Sequence, residues 1–331
     1  MNKKINIHKS TVDITLITKN PIVSKILYII RYPSKWRLLF RAAAYVLLFD
    51  LAFVYLFPFL YMVITSLKSP EDLADFTVNW IPKGIYLGNY IIAFGLLEYL
   101  NRLKNSIIIT SLSIIGHVLS CSLIGYGFAR FKFAAKKIMF IMVIMTIIVP
   151  VEVIIIPMFM QYSNLGWLNS YRPLIIPTFF GFGLRGGLFI FIFRQFFMGF
   201  PHSLEDAARI DGCNFFETYW RIVLPISKPA VLVTSILAMV WHWNDYFEPN
   251  IYIGNPRLAP LPYGLNDLYN ALQRLEEGAA RILETFPDIV LEVNEAVVMA
   301  STFLVIAPVL IVYAFLQSHF VESVERTGLT E

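Results

Sequence analysis

The chain has 331 residues, of which 57% are hydrophobic and 15% charged, with a formal net charge of +4 and a mean hydropathy of +0.63. A soluble domain is roughly 45–50% apolar and about 25% charged, so these figures exclude a soluble globule, and they exclude disorder, collagen and coiled coil too. Two cysteines, Cys121 and Cys213, make no disulfide framework.

The chain opens with a basic arm, residues 1–42. Its short apolar stretch, Ile26–Ile30, is too brief for the core of a cleaved signal peptide. Contact with anionic lipid is one reading of the arm. A topology-setting tail is the reading favoured by the positive-inside rule. Six apolar segments follow within a membrane domain of residues 43–321, each near the ~20 residues a transmembrane helix needs. They are Tyr45–Ile64, Asn105–Ala129, Ile138–Tyr162, Leu174–Phe193, Ala230–Ile253 and Ala296–Val321. The runs are continuous rather than alternating, which argues against a membrane β-barrel. The fold expected is all-α and polytopic, with six transmembrane helices, a loop over 197–228, an outer loop over 254–295 and a tail over 322–331.

Lysine and arginine orient this array. With the N-terminus inside, the inward segments hold nine, four, four and one basic residues, against eight in the outward loops and Arg185 within a span, which accounts for all 27. Both termini are therefore expected in the cytoplasm. The positive charge is a topology signal, and nucleic acid is not an expected partner.

Between the fourth and fifth segments runs PHSLEDAARIDGCNFFETYWRIVLPISKP, residues 201–229. Ser203 followed by Asp206 reads as a capping box. Leu204, Ala207 and Ala208 fall on one helical face. Gly212 stands where a left-handed turn would stop the helix. A second amphipathic run carries Phe215, Tyr219, Ile222 and Val223, with Pro225 as its expected end. A helix–turn–helix this short, between membrane segments, reads as a docking surface for a soluble partner.

The same residues resemble the "EAA" loop of binding-protein-dependent ABC importer permeases. The family pattern is acidic-Ala-Ala, three residues, Gly, nine residues, Ile-x-Leu-Pro. Asp206, Ala207, Ala208, Gly212, Ile222, Leu224 and Pro225 occupy it with the spacing intact, Asp206 standing for the usual Glu. The neighbouring Glu205 and Arg209-Ile210-Asp211 resemble the carbohydrate-uptake branch. Ser66-Leu67-Lys68, Trp80-Ile81-Pro82, Asn105-Ser106, Tyr126-Gly127-Phe128-Ala129-Arg130, Pro150-x-Glu152 with Ile156-Pro157, and Trp243-Asn244-Asp245 are similar to that branch as well. The whole chain most resembles the six-span subunit of maltose-type systems.

The resemblance implies a mechanism. The loop would couple to cytoplasmic ABC ATPase subunits, whose closure on ATP swings the permease between inward- and outward-facing states. An extracytoplasmic solute-binding protein would deliver a carbohydrate, and a second permease subunit would complete a heterodimer in a bacterial-type plasma membrane. Asp206 would supply a polar contact or cap, Ala207, Ala208 and Gly212 a steric fit, and Ile222, Leu224 and Pro225 a brace against the spans. An ion-coupled secondary transporter using Glu152 and Asp245, or a membrane scaffold or sensor docking a soluble partner, are the alternatives.

Ionisable groups inside a membrane are costly and so are functional candidates. Glu152 could line a path or bond a neighbouring helix near Pro150 and Pro157. Asn244 and Asp245 could face the path or mark the outer end of their helix, the second being preferred. Asp50 is expected to snorkel. Arg185 calls for a carboxylate or carbonyl partner. Trp241 and Trp243 could stack on a sugar, but the aromatic-belt rule favours interfacial anchoring.

Gly181-Phe182-Gly183-Leu184-Arg185-Gly186 matches the dinucleotide G-x-G-x-x-G pattern, but lies in an apolar segment with no βαβ context, so close helix packing is expected. No phosphate loop occurs, so the chain is not expected to hydrolyse ATP or to act as an enzyme. No metal-ligand spacing occurs. No cofactor is expected, and the five histidines suggest no site. In the outer loop, Leu268, Leu272, Leu275, Ile282 and Phe286 read as an amphipathic helix that packs on its own bundle rather than on the binding protein.

Overall fold

The computed structural model describes residues 35–75, 77–78, 80–270 and 294–328, and every regular element among them is helical. In chain order the principal helices are α1 (Lys35–Ser66), α2 (Gly88–Leu96), α3 (Tyr99–Arg130), α4 (Lys136–Ile148), α5 (Val151–Asn164), α6 (Gly186–Met198), α7 (His202–Ile210), α8 (Phe215–Ile226), α9 (Lys228–Asn244) and α10 (Glu295–Gly328). The expected outer helix over Leu272–Phe286 lies outside the described residues. Of its apolar set, only Leu268 is described, in a helical stretch over 261–270, where it is buried.

Residues up to Tyr61 form one compact unit and Met62 onward a second. The described part of the first is helical, apolar and exposed along residues 39–61, with Phe53 and Phe57 in edge contact and Pro58 inside the helix.

In the second unit, α3 is the axis. Its 32 residues span about 48 Å at 1.5 Å per residue. Gly125 lets α6 approach it closely: a Cβ there would stand 2.7 Å from the Phe193 Cβ and 2.9 Å from the Arg194 backbone nitrogen. Around this crossing Phe189, Phe193 and Phe197 of α6 pack with Cys121 and Tyr126 of α3 and Tyr219 and Val223 of α8. All but Tyr126, at 2%, are fully buried.

Among the described residues, three helices are long and apolar enough to cross a membrane by themselves: α1 within Leu39–Ser66, α3, and α10 within Glu295–Gln317. The other expected segments are broken. The third bends by 102° between α4 and α5, where Pro150 is extended and caps α5; proline disfavours helical geometry in the residue before it. The fourth is not one helix. A four-residue turn and a 3₁₀ turn over Ile176–Phe180 precede α6, and Gly181, Gly183 and Arg185 all take positive φ, +70°, +101° and +63°. The glycine-rich motif is thus a helix break, neither a dinucleotide loop nor an uninterrupted packing face. The fifth stops at Asn244, not Ile253, because Asp245 is extended and its carboxylate accepts the Phe247 and Glu248 amides.

Polar residues tie the connections between helices. Asn89 donates to the Ser66 and Lys68 carbonyls (3.0 and 2.8 Å), satisfying groups that the end of α1 leaves open. Asn105 donates to Arg257 O and Ala259 O, both at 2.9 Å, and accepts from the Tyr171 hydroxyl at 2.7 Å. Ser106 accepts the Leu261 amide.

Candidate functional site

The loop of residues 197–228 is built from α7, a four-residue turn and α8. Helix α7 begins at His202 because Pro201 is extended (φ −62°, ψ 128°) and supplies no side-chain cap. Ser203 therefore lies inside the first turn, and the expected Ser203–Asp206 capping box does not form. The box sits instead at the start of α8, where the Asn214 side chain accepts the Glu217 amide and Glu217 accepts the Asn214 amide, each at 3.0 Å.

The stop of α7 is as expected. Gly212 has φ +86°. Its amide donates to Arg209 O and the Cys213 amide to Ala208 O. These two bonds close a Schellman motif, which only a residue tolerant of the left-handed region completes without strain.

The buried face of α7 differs from the apolar pattern. Glu205 and Ala208 point inward, 2% and 3% exposed. Leu204 and Ala207, expected on the face with Ala208, are exposed, as are Asp206 and Ile210. A local ion pair overrides the apolar stripe. Arg130, at the end of α3, donates from Nε to Glu205 Oε1 at 2.6 Å and from Nη2 to Phe200 O at 2.6 Å, and its Nη1 meets His202 Nε2 at 3.1 Å. Asp206 makes only a 3.5 Å contact with Arg209, leaving its carboxylate at the surface.

Helix α8 is held by the same edge of α3. Tyr126 stacks on Phe215 and packs against Tyr219, and the Tyr219 hydroxyl shares a 2.6 Å hydrogen bond with Ser122. Burial pushes the Tyr219 phenol above its ordinary range. Ser122, Tyr126 and Arg130 are spaced i, i+4, i+8, one row along α3, and this row grips both helices of the loop. Of the expected braces, Ile222 is half-buried, Leu224 packs at the edge of the core, and Pro225 is exposed. Tyr219 and Val223 carry the bracing. Pro225 does not end the helix, which runs on to Ile226. A π turn over Tyr219–Val223 absorbs its missing amide, with the Leu224 amide reaching Tyr219 O. The chain then bends by 74° into α9.

The expected path residues do not form one cluster. Glu152 is exposed in the first turn of α5. Asn244 is exposed and donates back to Val240 O at 2.8 Å. Asp245 caps the turn after α9, the preferred reading. Trp243 is no interfacial anchor: it is buried, and its indole donates to Val305 O at 3.0 Å, joining α9 to α10. Among the described residues Arg185 has neither carboxylate nor carbonyl as a partner; its guanidinium lies over the Trp241 ring, 5.4 Å from the centroid.

Sequence reasoning missed one pair. His117 and His242, 125 residues apart, are buried with their Nε2 atoms 3.1 Å apart. One ring must donate and the other accept, which fixes opposite tautomers. Nothing in local spacing could have linked them. Among the described residues no group of three His, Cys, Asp or Glu side chains could hold a metal.

Residues 122–326 match the family described as "Binding-protein-dependent transport system inner membrane component". The arabinooligosaccharides transport system permease protein AraQ of Bacillus subtilis is 28% identical over 293 residues, 88% of this chain and 96% of that protein. The probable starch degradation products transport system permease protein AmyC of Thermoanaerobacterium thermosulfurigenes is 29% identical over 212 residues, 64% of this chain and 76% of that one. The fold also matches a chain in the crystal structure of a bacterial ABC transporter involved in the import of the acidic polysaccharide alginate. The TM-score is 0.72 at 25% identity, covering 87% of this chain and 99% of that chain.

Proposed function

Because the chain belongs to the family of binding-protein-dependent transport system inner membrane components, we propose that it is a permease subunit of an ATP-driven importer for a carbohydrate. An extracytoplasmic binding protein delivers the solute, a second permease subunit completes the pathway, and separate cytoplasmic ATPase subunits supply the energy. Both termini lie in the cytoplasm, on the side marked by the excess of Lys and Arg. The relatives named for arabinooligosaccharides and starch degradation products support the substrate class.

The observation that carries this reading is the division of labour on α7. Glu205 is locked inward on Arg130, while Leu204, Asp206, Ala207 and Ile210 face outward. An exposed apolar strip with one surface carboxylate is a docking face, and the row Ser122–Tyr126–Arg130 gives any push on it a direct route into α3. ATP-driven closure of the ATPase pair would then move α3, as a two-state element biased from a distant site.

The test is uptake by the complete complex reconstituted in vesicles. Asp206→Lys is expected to abolish ATP-driven uptake with folding and insertion retained. Wild-type uptake in that variant overturns the role of the loop. Solute uptake by this chain without an ATPase overturns the importer reading in favour of an ion-coupled carrier.

A further inference from the structure

Arg185 is a cation inside the predicted fourth span, and it is exposed on this subunit. No ion pair or hydrogen bond takes its guanidinium among the described residues; its one contact is the face of Trp241 at 5.4 Å. Gly186, next in sequence, abuts the ring of His117, the nineteenth of the 32 residues of α3. Trp241 is fourteenth of the 17 residues of α9. An arginine left unpaired within an apolar segment of a membrane protein is expensive unless it faces water, a counter-charge or a passing solute.

The backbone adds to the same demand. Arg185 is held at φ +63° as the residue before α6, a conformation that costs energy for any residue with a Cβ. The break puts the N-terminus of a 13-residue helix beside the guanidinium. The helix dipole favours negative charge there. Broken helices that aim an N-terminus at an anionic solute group near the midplane recur in transporters.

We propose that Arg185 and Trp241 form a subsite of the translocation path for an acidic sugar, with the guanidinium taking a uronate carboxylate and the indole holding the guanidinium in place. The planar fork of arginine matches a carboxylate in two parallel hydrogen bonds. The indole face lies under the guanidinium at 5.4 Å and steadies it there. This inference rests on the importer reading above and narrows its substrate.

The test is ATP-driven uptake by the complete reconstituted complex with two probes, an oligogalacturonate and a neutral arabinooligosaccharide. Wild type is expected to take up the oligogalacturonate. Arg185→Gln should lower that uptake by about tenfold or more, as expected for loss of a hydrogen bond to a charged group. Arg185→Lys should restore part of it, and Trp241→Ala should weaken it with the arginine intact. Oligogalacturonate uptake unchanged in Arg185→Gln overturns the proposal. So does a wild type that moves only the neutral probe, which leaves the importer reading standing. Loss of the second permease from purified Arg185→Gln complex also overturns it, by making Arg185 an interface residue. A wild type that moves neither probe with ATP overturns the subsite and leaves standing the importer reading, which commits to no single sugar.

Discussion

Arg130 and Glu205, 75 residues apart, meet through a 2.6 Å hydrogen bond with side chains only 6% and 2% exposed. The pair fixes the first helix of the loop to the end of α3, the axis of the second unit. A buried ion pair adds little net stability against an apolar replacement, but removing one partner strands the other charge at a cost of about 3–5 kcal/mol. Glu205→Ala and Arg130→Ala are each expected to destabilise by about that much. The double variant Arg130→Met with Glu205→Leu should lose less than the sum of the two. Thermal unfolding of the purified complex measures both, and additive losses would show that the two side chains do not interact.

Gly212 carries φ +86° with open space around its Cα. Gly212→Ala would clash with nothing and would still cost about 1–2 kcal/mol, because the penalty is conformational. Gly212→Asn should cost less, since asparagine tolerates this region. The Cys213 amide, bonded to Ala208 O, is the reporter. Its hydrogen exchange should accelerate in the alanine variant, and unchanged protection would show that the stop does not depend on the glycine.

Asn105 serves three partners at once, Arg257 O, Ala259 O and the Tyr171 hydroxyl. At about 1 kcal/mol for each hydrogen bond, Asn105→Ala should cost about 3 kcal/mol. Asn105→Asp should be worse than alanine, because its carboxylate would face the two carbonyls. The connection over 256–261 should become the earliest site of protease cleavage in either variant; equal resistance to wild type would contradict this.

Lys83 lies 2.6 Å from Asp75, and Thr77 also bonds this carboxylate. The Lys83 ammonium and the Thr77 donors hold the Asp75 carboxyl well below its usual range. A depressed folded-state value means the contribution is present above the unfolded value of about 3.9 and is lost as pH falls below it. The pair is exposed, so the effect at neutral pH is small. Asp75→Asn is expected to leave unfolding at pH 7 nearly unchanged and to flatten the acid limb of its pH profile. An unchanged acid limb would show that Asp75 titrates alike in both states.

Several features were legible in local pattern. The apolar runs locate the helices, because covering some 20 residues of backbone in hydrocarbon leaves the chain few options. Gly212 is readable because a helix stop has its own chemistry. The breaks at Pro150, Arg185 and Asp245 were only partly readable. Composition is indifferent to a bend, and a run that looks uniform by hydropathy can hold a 102° turn.

The buried face of α7 departs from the apolar pattern for a related reason. Leu204, Ala207 and Ala208 form an apolar stripe by spacing, yet Glu205 with Ala208 is the buried pair. A carboxylate goes inward only when a cation waits there, and that cation is supplied from α3.

The sequence by itself determined that this chain lives in a membrane and which loop bears the family pattern. Each of these follows from residue type and near-neighbour spacing, which the bilayer and the helix translate directly into structure. Only the tertiary structure decided that Glu205 is buried on Arg130 while Asp206 stays at the surface, that His117 meets His242, and that Arg185 rests on Trp241. Those are contacts between residues far apart in the chain, chosen by close packing around α3, and no local period encodes them.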